Sequence, residues 1–432
     1  METVIDIGTS MQKLCEKLFP ICRSITGDGF RKSLAIIKND VQLDDLQFFE
    51  VATGTQCFDW EVPEEWNIKD AYIITPDGNK ICDFKVCNLH VVGYSTPINQ
   101  KISLEMLQNH LYSLPNQPDA IPYITSYYQK RWGFCITEQQ RAMLKHGSYQ
   151  VYIDSELTAG SLTYGELIIA GETEQEVFLS SYLCHPSMAN NELSGPVVTA
   201  FLAKWLLSLP SRKYTYRIII IPETIGSITY LSRHYKTMKE NIIAGFNITC
   251  VGDDRAYSYL PSRTGDTLAD QVAKHVLAHT HPEYVSYSFL DRGSDERQYC
   301  SSGIDLPVCS IMRTKYGCYP EYHTSLDDLE LVTASGLLGS YRVLKKAIQC
   351  LESNETLATT VLGEPQLGKR GLYPTIGTKE GEAKVQNMMN FLAYCDGVSS
   401  NLEIAEKIKV PLWELVDIIN QLKAEQLLKS IH

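Results

Sequence analysis

The sequence predicts an α/β protein whose main sheet is mostly parallel and has helices on both faces. Short apolar runs alternate with helical segments from residue 160 to residue 350, which is the pattern of βαβ units. The run Ile218–Ile221 is apolar throughout, as expected of a strand that is covered on both faces. Two regions differ from this pattern, since residues 48–150 have many short β-type runs and residues 361–432 are largely helical.

The α/β region can be divided into elements by local pattern. Strands are predicted at residues 167–170, 177–180, 216–222, 245–250 and 306–312. Helices are predicted at residues 196–208, 226–240, 266–279 and 333–352. Because strands and helices alternate, the carboxyl ends of several strands should lie along one edge of the sheet.

The N-terminal segment, residues 10–40, has a helical pattern that is interrupted at residues 23–29. Apolar residues recur at helical spacing on both sides of the interruption, which is polar and rich in glycine. One interpretation is a turn between two helices. The other is a loop that reaches a site, because Arg23, Ser24 and Thr26 could together hold an anion.

Residues 48–150 are predicted to form an inserted, mostly β domain. Residues 71–75, 89–93 and 150–154 have β-type composition, and turn signals separate them. Aromatic residues cluster in this region, either as core residues or as a surface on which sugar or aromatic groups stack. They are Phe58, Trp60, Trp66, Tyr123, Tyr127, Tyr128, Trp132 and Phe134.

The C-terminal region is predicted to be a winged-helix-like module that follows a polar, glycine-rich linker beginning near residue 355. Residues 387–396 form the first predicted helix, Ser400 and Glu403 form a capping box for the second, and Pro411 begins the third. The predicted domains are an α/β domain of residues 1–47 and 151–360, an inserted domain of residues 48–150 and a C-terminal domain of residues 361–432.

Composition narrows the class of function. The chain of 432 residues has a formal net charge of −12, which argues against a general nucleic-acid-binding or anionic-membrane-binding surface. The 13 cysteines lack the spacing of a disulfide framework, which predicts a reduced setting. The first residues lack the pattern of a secretory signal, and no apolar run approaches membrane-spanning length. We therefore expect a cytoplasmic protein that does not contact a membrane.

Three predicted strands are followed by ionisable side chains. His185 and Glu223 come shortly after two of the strands, and His323 lies in a loop after a third. These side chains can converge at the edge of a parallel sheet. Two histidines and a carboxylate suffice for a catalytic zinc ion, with a further glutamate as the base for the bound water. A single histidine after a strand is more often structural, but three such groups together favour a site.

These motifs, in this order, resemble the zinc aminopeptidase-like superfamily. The matching segments are His185 with residues 191–195, then residues 221–227, residues 247–252, Ser294 with Asp295, and residues 322–327. The whole chain is similar to bacterial aminopeptidase-like proteins that have an inserted β domain and a C-terminal winged helix. Those proteins are often linked to polysaccharide biosynthesis. The resemblance covers nearly the full length, and the order of the motifs is more specific than any one of them.

The resemblance implies a role for each matching residue. His185 and His323 match histidine zinc ligands, and Glu223 matches the general base. At three positions a neutral residue stands where the family has an acidic metal ligand. These positions are Asn191, Thr224 and Thr249. Neutral side chains do not supply the negative charge that holds two divalent cations close together, so the sequence predicts one zinc ion rather than two.

A site with one zinc ion would use His185, Glu192 and His323 as ligands, with Glu223 taking a proton from the bound water. Glu192 occupies a position that the family gives to a neighbour of the residue that bridges its two zinc ions. The acidic pair that begins at Asp253 is an alternative source of the third ligand.

Substrate recognition is predicted in the loops near the third strand end. Arg297 and Arg313 could clamp a carboxylate or phosphate, and Asp295 could hold an amine. Tyr322, in the last motif of the resemblance, is assigned to the same substrate-binding group. The alternative for this charged stretch is a surface loop with internal ion pairs.

The leading hypothesis is a metal-dependent hydrolase that cleaves an amide bond in a peptide, an N-acyl amino acid or an amide-modified sugar precursor. The second is a catalytically degenerate peptidase fold that acts as a binding or scaffold protein. A transcriptional regulator that senses a small molecule is less favoured, because residues 401–432 contain more acidic than basic residues. This module could instead bind a partner protein or a second copy of the chain.

Overall fold

The computed structural model describes residues 6–372 and 379–431. These residues form two compact units. Unit 1 is drawn from Met1–Asp270 and Val285–Tyr341, and unit 2 is drawn from Gln271–Tyr284 and Arg342–His432.

The four helices predicted in the α/β region are found within a few residues of their predicted positions. The helices are α1 (Ile7–Leu18), α2 (Asp28–Val41), α3 (Leu104–Gln108), α4 (Glu138–Ala142), α5 (Ser194–Leu207), α6 (Ile225–Asn241), α7 (Leu268–Thr280), α8 (Glu296–Tyr299), α9 (Ala334–Ser353), α10 (Lys379–Ala393), α11 (Asn401–Ile408) and α12 (Leu412–Ala424). The four predicted helices are α5, α6, α7 and α9, and short 3-10 helices occur at Asn88–His90, Phe289–Asp291 and Gly368–Arg370.

The strands are more numerous than the sequence predicted, because many are short. They are β1 (Gln47–Ala52), β2 (Gln56–Cys57), β3 (Trp60–Glu61), β4 (Glu65–Ile74), β5 (Lys80–Ile81), β6 (Ile98–Ser103), β7 (Leu111–Tyr112), β8 (Phe134–Cys135), β9 (Ser148–Thr158), β10 (Ser161–Ile169), β11 (Glu176–Tyr182), β12 (Thr215–Ile221), β13 (Ile242–Asn247), β14 (Ser258–Leu260), β15 (Val285–Ser286), β16 (Val308–Met312), β17 (Thr356–Thr359), β18 (Asp396–Ser400) and β19 (Leu428–Ser430).

The large sheet of unit 1 has eight strands in the order β1-β10-β12-β11-β13-β16-β14-β15. Its centre is parallel, because β12, β11, β13 and β16 run in the same direction. β10 is antiparallel to β12 on one side, and β14 is antiparallel to β16 on the other. Every residue of β11 is buried, as expected of a central strand that is covered on both faces. The predicted α/β fold class is therefore confirmed.

The register of the sheet brings two predicted site residues together. Tyr182, the last residue of β11, pairs with Ile221, the last residue of β12. His185 and Glu223 follow these two strands at the same edge of the sheet, three and two residues later. The helix after His185 begins close to the end of β13. A Cβ atom on Gly195 would lie 2.3 Å from the carbonyl oxygen of Ile248, so only glycine fits there without a shift.

The inserted region has its own four-stranded sheet, in the order β5-β4-β9-β6. The strand predicted at residues 89–93 is wrong in part, because Asn88–His90 forms a 3-10 helix and only isolated bridges follow, at Val91 and Gly93. A segment of the inserted region, around Tyr123, reaches the loop that contains His323. The Tyr123 amide donates to the carbonyl oxygen of His323 at 2.9 Å.

Unit 2 contains a three-stranded sheet in the order β18-β17-β19, together with helices α10–α12. The predicted capping box is confirmed, since Ser400 and Glu403 exchange hydrogen bonds at the start of α11. The predicted linker is wrong at Thr356–Thr359, which forms β17, and residues 373–378 of that linker lie outside the described residues. The predicted domain boundaries stay predictions. None of the described helices is long and apolar enough to cross a membrane.

Candidate active site

His185 is held by a buried carboxylate. Its Nδ1 atom lies 2.5 Å from Oε2 of Glu192, and its backbone amide donates to Oε1 of the same residue at 2.6 Å. The Cys184 amide also donates to Oε1. A carboxylate on Nδ1 fixes the orientation of the ring and directs Nε2 to the opposite side. Burial disfavours the charged ring, but Glu192 and Glu223 outweigh burial and raise the pKa of His185.

These contacts differ from the predicted ligand role of Glu192. Both of its carboxylate oxygens already accept hydrogen bonds, and the side chain is fully buried. Glu192 therefore lies behind His185 as an orienting group. Cys184 lies on the same side, with its sulfur 3.4 Å from Nδ1 of His185. Cys184, His185 and Glu192 are close enough to form a ligand set, but an ion there would have to displace the proton between Nδ1 and the carboxylate.

Glu223 lies on the other side of the His185 ring. Its Oε2 atom is 3.5 Å from Nε2 of His185. Its backbone amide donates to the sulfur of Cys184 at 3.3 Å, so the turns after β11 and β12 are linked. Burial raises the pKa of Glu223, although the neighbouring His185 opposes the shift. The structure therefore brings the predicted base and one predicted ligand together.

His323 completes this side of the site. Its ring centroid lies 5.4 Å from that of His185, and the Tyr322 ring stacks on it at 3.9 Å. Its Nε2 atom is buried and makes no hydrogen bond to the described residues. Burial, with a smaller contribution from His185, lowers the pKa of His323 to about 3. The ring is therefore neutral and has a nitrogen lone pair available.

Two of the three positions at which this chain lacks the family's acidic ligands, Asn191 and Thr249, belong to a neutral network. The Asn191 amide group donates to the Tyr182 hydroxyl at 2.8 Å, and that hydroxyl lies 2.6 Å from Oγ1 of Thr249. The Thr249 hydroxyl also lies 3.1 Å from the carbonyl oxygen of Asn191, as its donor. The Asn191 and Thr249 side chains therefore both bond to Tyr182, the Thr249 hydroxyl also bonds to the Asn191 backbone, and neither side chain brings a negative charge.

Two residues outside the predicted set of catalytic, metal and substrate residues support the loop after β11. The Asp327 carboxylate accepts hydrogen bonds from the backbone amides of Ala189, Asn190 and Asn191. Burial raises its pKa to about 6 against the effect of these bonds. Arg23 is buried and donates to the carbonyl oxygen of His185 at 2.9 Å. The signals were present, since Asp327 ends the last motif and Arg23 lies in a loop that had been considered as reaching a site.

A cavity of about 240 Å³ opens beside His185 and Glu223. Much of its wall is aromatic and comes from the inserted region. The aromatic lining residues are Trp60, Tyr123, Tyr127 and Tyr128. Trp60 and Tyr128 are 39% and 57% exposed and meet edge to face, whereas Tyr123 packs against the His185 ring at 4.7 Å. Some of the predicted aromatic cluster thus faces a cavity, and other members, such as Phe134, are buried in the core.

The predicted substrate-binding residues are found in three different settings. Tyr322 stacks on His323. Asp295 and Arg297 both contact Thr224, through its backbone amide and its hydroxyl respectively. Arg313 is buried, stacks over the Tyr257 ring at 3.9 Å and lies 3.6 Å from Asp254. In the described parts of the chain, no contact joins Arg313 to the two histidines or to Glu223, so its location does not support the predicted clamp.

A second group of potential ligands lies in unit 2 and consists of His275, His279 and Glu406. Nδ1 of His275 is hydrogen-bonded to Glu406, and its Nε2 accepts from the backbone amide of Leu412 at 2.9 Å. An amide donates only to a nitrogen lone pair, so the ring proton lies on Nδ1. Both nitrogens of His275 are therefore used, and this group does not favour a metal ion.

Comparison with known proteins agrees with this architecture. Residues 12–354 match a family model described as a domain of unknown function, DUF4910, and residues 355–430 match a winged helix-turn-helix model. A Clostridium acetobutylicum protein is named as a candidate polysaccharide biosynthesis protein with an aminopeptidase-like domain. It is 44% identical over 428 residues, which are 99% of this chain and 97% of that protein.

Two solved structures are similar to the chain. The crystal structure of a candidate peptidase from Clostridium acetobutylicum has a TM-score of 0.92 at 43% identity and covers 98% of this chain and 96% of its own. A zinc aminopeptidase from Bacillus subtilis has a TM-score of 0.58 at 14% identity, and the match covers 80% of this chain and 94% of the aminopeptidase chain. The second similarity shows the fold alone. The predicted aminopeptidase-like fold with a C-terminal winged helix is confirmed.

Proposed function

Because the chain belongs to the DUF4910 family and has the fold of zinc aminopeptidases, we propose that it is a metal-dependent hydrolase that cleaves an amide bond. The observation that carries this proposal is the arrangement of His185, Glu223 and His323 around one space. Nε2 of His185 is directed away from its carboxylate partner and lies 3.5 Å from Glu223, and Nε2 of His323 is buried without a described partner. Two buried imidazole nitrogens beside a carboxylate fit a metal ion.

The donor set fits one ion better than two. His185 and His323 would hold it, and the network of Asn191, Thr249 and Tyr182 offers no anionic ligand for a second. A zinc ion bound there would polarise the amide carbonyl and lower the pKa of water. Glu192 would keep the His185 ring in the orientation that ligation needs.

The chain's own residues would carry the proton transfers. Glu223 would accept a proton from the attacking water and return it to the leaving nitrogen, the usual work of a general base. The cavity would receive the group next to the scissile amide, because it opens beside Glu223 and His185. Its exposed aromatic residues, Trp60 and Tyr128, suit a sugar ring or an aromatic group. Together with the name of the Clostridium relative, this supports including N-acylated sugars among the substrates to be tested.

The test is metal content followed by an amide screen. The protein is purified without chelators or a metal-binding tag, and zinc is measured by elemental analysis in the parent, in the His185→Ala/His323→Ala variant and in Glu223→Gln. The expected result is about one zinc ion per chain in the parent and in Glu223→Gln, and none in the double variant. Hydrolysis should fall by about 10²–10⁴-fold in Glu223→Gln, as expected when a general base is removed.

Two results would change the proposal. Loss of zinc in Glu223→Gln would make Glu223 a ligand rather than the base. If the parent protein binds no zinc after incubation with the ion, the proposed hydrolase function is wrong. That result would favour the second candidate, a degenerate peptidase fold that binds a ligand or a partner protein through its aromatic cavity or its winged helix. The specific observation behind this candidate is the replacement of acidic ligands by Asn191, Thr224 and Thr249.

A further inference from the structure

The residue after Glu223 has a strained backbone. Thr224 has φ 63° and ψ −73°, and the Ile225 amide donates to the carbonyl oxygen of Glu223 at 2.8 Å. This is a γ-turn centred on Thr224, in a region of backbone angles that β-branched residues rarely adopt. The turn joins the end of β12 to the start of α6. Such strain persists only where the surrounding structure fixes it, and it is concentrated at functional sites.

Two side chains from one short segment hold this turn. Oδ1 of Asp295 accepts from the Thr224 amide at 2.7 Å and from the Ser227 hydroxyl at 2.8 Å. Nη2 of Arg297 donates to the Thr224 hydroxyl at 3.0 Å. Thr224 is the N-cap residue of α6, yet its side chain makes no capping hydrogen bond. Both the backbone and the side chain of the strained residue are thus bonded to the segment that contains Asp295 and Arg297.

Asp295 is badly placed to hold a substrate amine. It is fully buried, and its Oδ1 atom already accepts from two donors. Its Oδ2 atom is buried and has no partner among the described residues. The cavity wall beside Glu223 is formed by Thr224. The hydrogen bonds of the Asp295 carboxylate are therefore made to the turn and to the first turn of α6, so this side chain acts on the turn.

We infer that Asp295 and Arg297 are positioning residues, which hold the strained turn at Thr224 and thereby direct Glu223 towards His185. The inference depends on the proposed function only for the chemistry that Glu223 performs. At Thr224 the resemblance has a glutamate ligand, whereas this chain has a hydroxyl that is turned to Arg297. In this chain, therefore, position 224 supports the carboxylate of Glu223 and does not supply a second carboxylate.

The first test uses stability and needs no substrate. Melting temperatures are measured for Thr224→Ala, Thr224→Gly, Asp295→Ala and the Asp295→Ala/Thr224→Gly double variant. Thr224→Gly should melt above Thr224→Ala, because both lack the hydroxyl but only glycine adopts this backbone without strain. Asp295→Ala should lower the melting temperature less in the Thr224→Gly background than in the parent. Ser232→Ala is the control, because its hydroxyl donates to the carbonyl oxygen of Thr229 within α6 rather than to Asp295 or Thr224, and its effect should be equal in both backgrounds.

The inference is overturned if Thr224→Gly melts below Thr224→Ala, or if the effect of Asp295→Ala is the same in both backgrounds. If Asp295→Ala does not fold, Asp295→Asn replaces it, and it should melt close to the parent because it keeps an acceptor oxygen. A crystal structure of Thr224→Gly with Asp295→Ala should then show Glu223 displaced from its place 3.5 Å from His185. An unmoved Glu223 would also overturn the inference.

The second test uses kinetics on an amide that the parent hydrolyses. Asp295→Ala should lower kcat at least tenfold with little change in KM, and Asp295→Asn should restore kcat. An ion pair with a substrate amine would instead raise KM in both variants, because Asn has no charge, and that result would assign Asp295 to substrate binding. If the parent hydrolyses no amide, the proposed function has failed, and the melting and crystal experiments still decide whether the turn is held in this way.

Discussion

Among the described residues, two buried histidines each have a glutamate on Nδ1, and the two pairs differ in a way that decides what each can do. His185 with Glu192 lies in unit 1, and His275 with Glu406 lies in unit 2. In both pairs the glutamate is bonded to Nδ1. Both pairs have further potential metal ligands close by.

The other ring nitrogen separates the two pairs. Nε2 of His275 accepts the backbone amide of Leu412, the first residue of α12, so this histidine links α7 to the start of that helix. Nε2 of His185 has Glu223 at 3.5 Å, and the centroid of the His323 ring lies 5.4 Å from that of His185. A carboxylate on Nδ1 prepares a histidine for ligation only if Nε2 has been left available. The comparison therefore supports the proposed metal-binding role of the first pair, whereas the second pair forms a structural link.

The largest expected effect is on metal content. His185→Ala should abolish zinc binding, because it removes one of the two imidazoles that would hold the ion. His275→Ala is the matched control and should bind as much zinc as the parent, as measured by elemental analysis after dialysis. Zinc lost in His275→Ala but kept in His185→Ala would reverse the assignment.

A smaller effect is expected when the carboxylate behind each histidine is changed. In Glu192→Gln an amide N–H group can face Nδ1 of His185, which would place the ring proton on Nε2 and block the ligating nitrogen. Zinc affinity should fall by about 10–100-fold, the usual effect of removing such a partner. The measurement is competition with a chromogenic chelator. Glu406→Gln serves as the control and should leave the affinity unchanged, and equal losses in both variants would break the comparison.

The sequence predicted the elements of this site better than its contacts. Alternating apolar runs place β11 and β12 side by side, so His185 and Glu223 could be expected at one edge of the sheet. The direction of Nε2 of His185 could not be predicted, because it depends on where the Glu192 carboxylate lies relative to Nδ1. Glu192 could be recognised as important from its place in the motif, but a ligand and an orienting group look alike in a sequence.

Long-range side-chain contacts were the hardest to predict. Charge alone suggests that Asp295 and Arg297 contact a substrate, whereas both side chains contact Thr224. Arg313 was also predicted to bind a substrate and lies instead against Tyr257 and Asp254. Propensity and periodicity describe how a strand or helix lies in the fold. They do not describe the direction of a charged side chain in a loop.

The smallest expected effect concerns pH and the second pair. Burial lowers the pKa of His275, although Glu406 opposes the shift. The ring is also close to His279 and Trp413. A histidine whose pKa is lower in the folded than in the unfolded state stabilises the fold above its unfolded pKa of about 6.5, and this contribution is lost as the pH falls through the folded pKa.

The measurement is the free energy of unfolding of the parent and of His275→Ala between pH 7.5 and pH 5, approximate limits that span the ordinary pKa of histidine. At the upper limit the parent should be more stable by about 1–3 kcal/mol, because the variant leaves the buried Leu412 amide without its acceptor. The difference should shrink as the pH falls. Titration at the site in unit 1 affects both proteins equally and cancels, and His279→Ala shows whether the neighbouring histidine contributes. A difference that stays constant or grows in acid would mean that His275 is not held as a neutral ring, and the distinction between the two pairs would then depend on Nε2 of His185 alone.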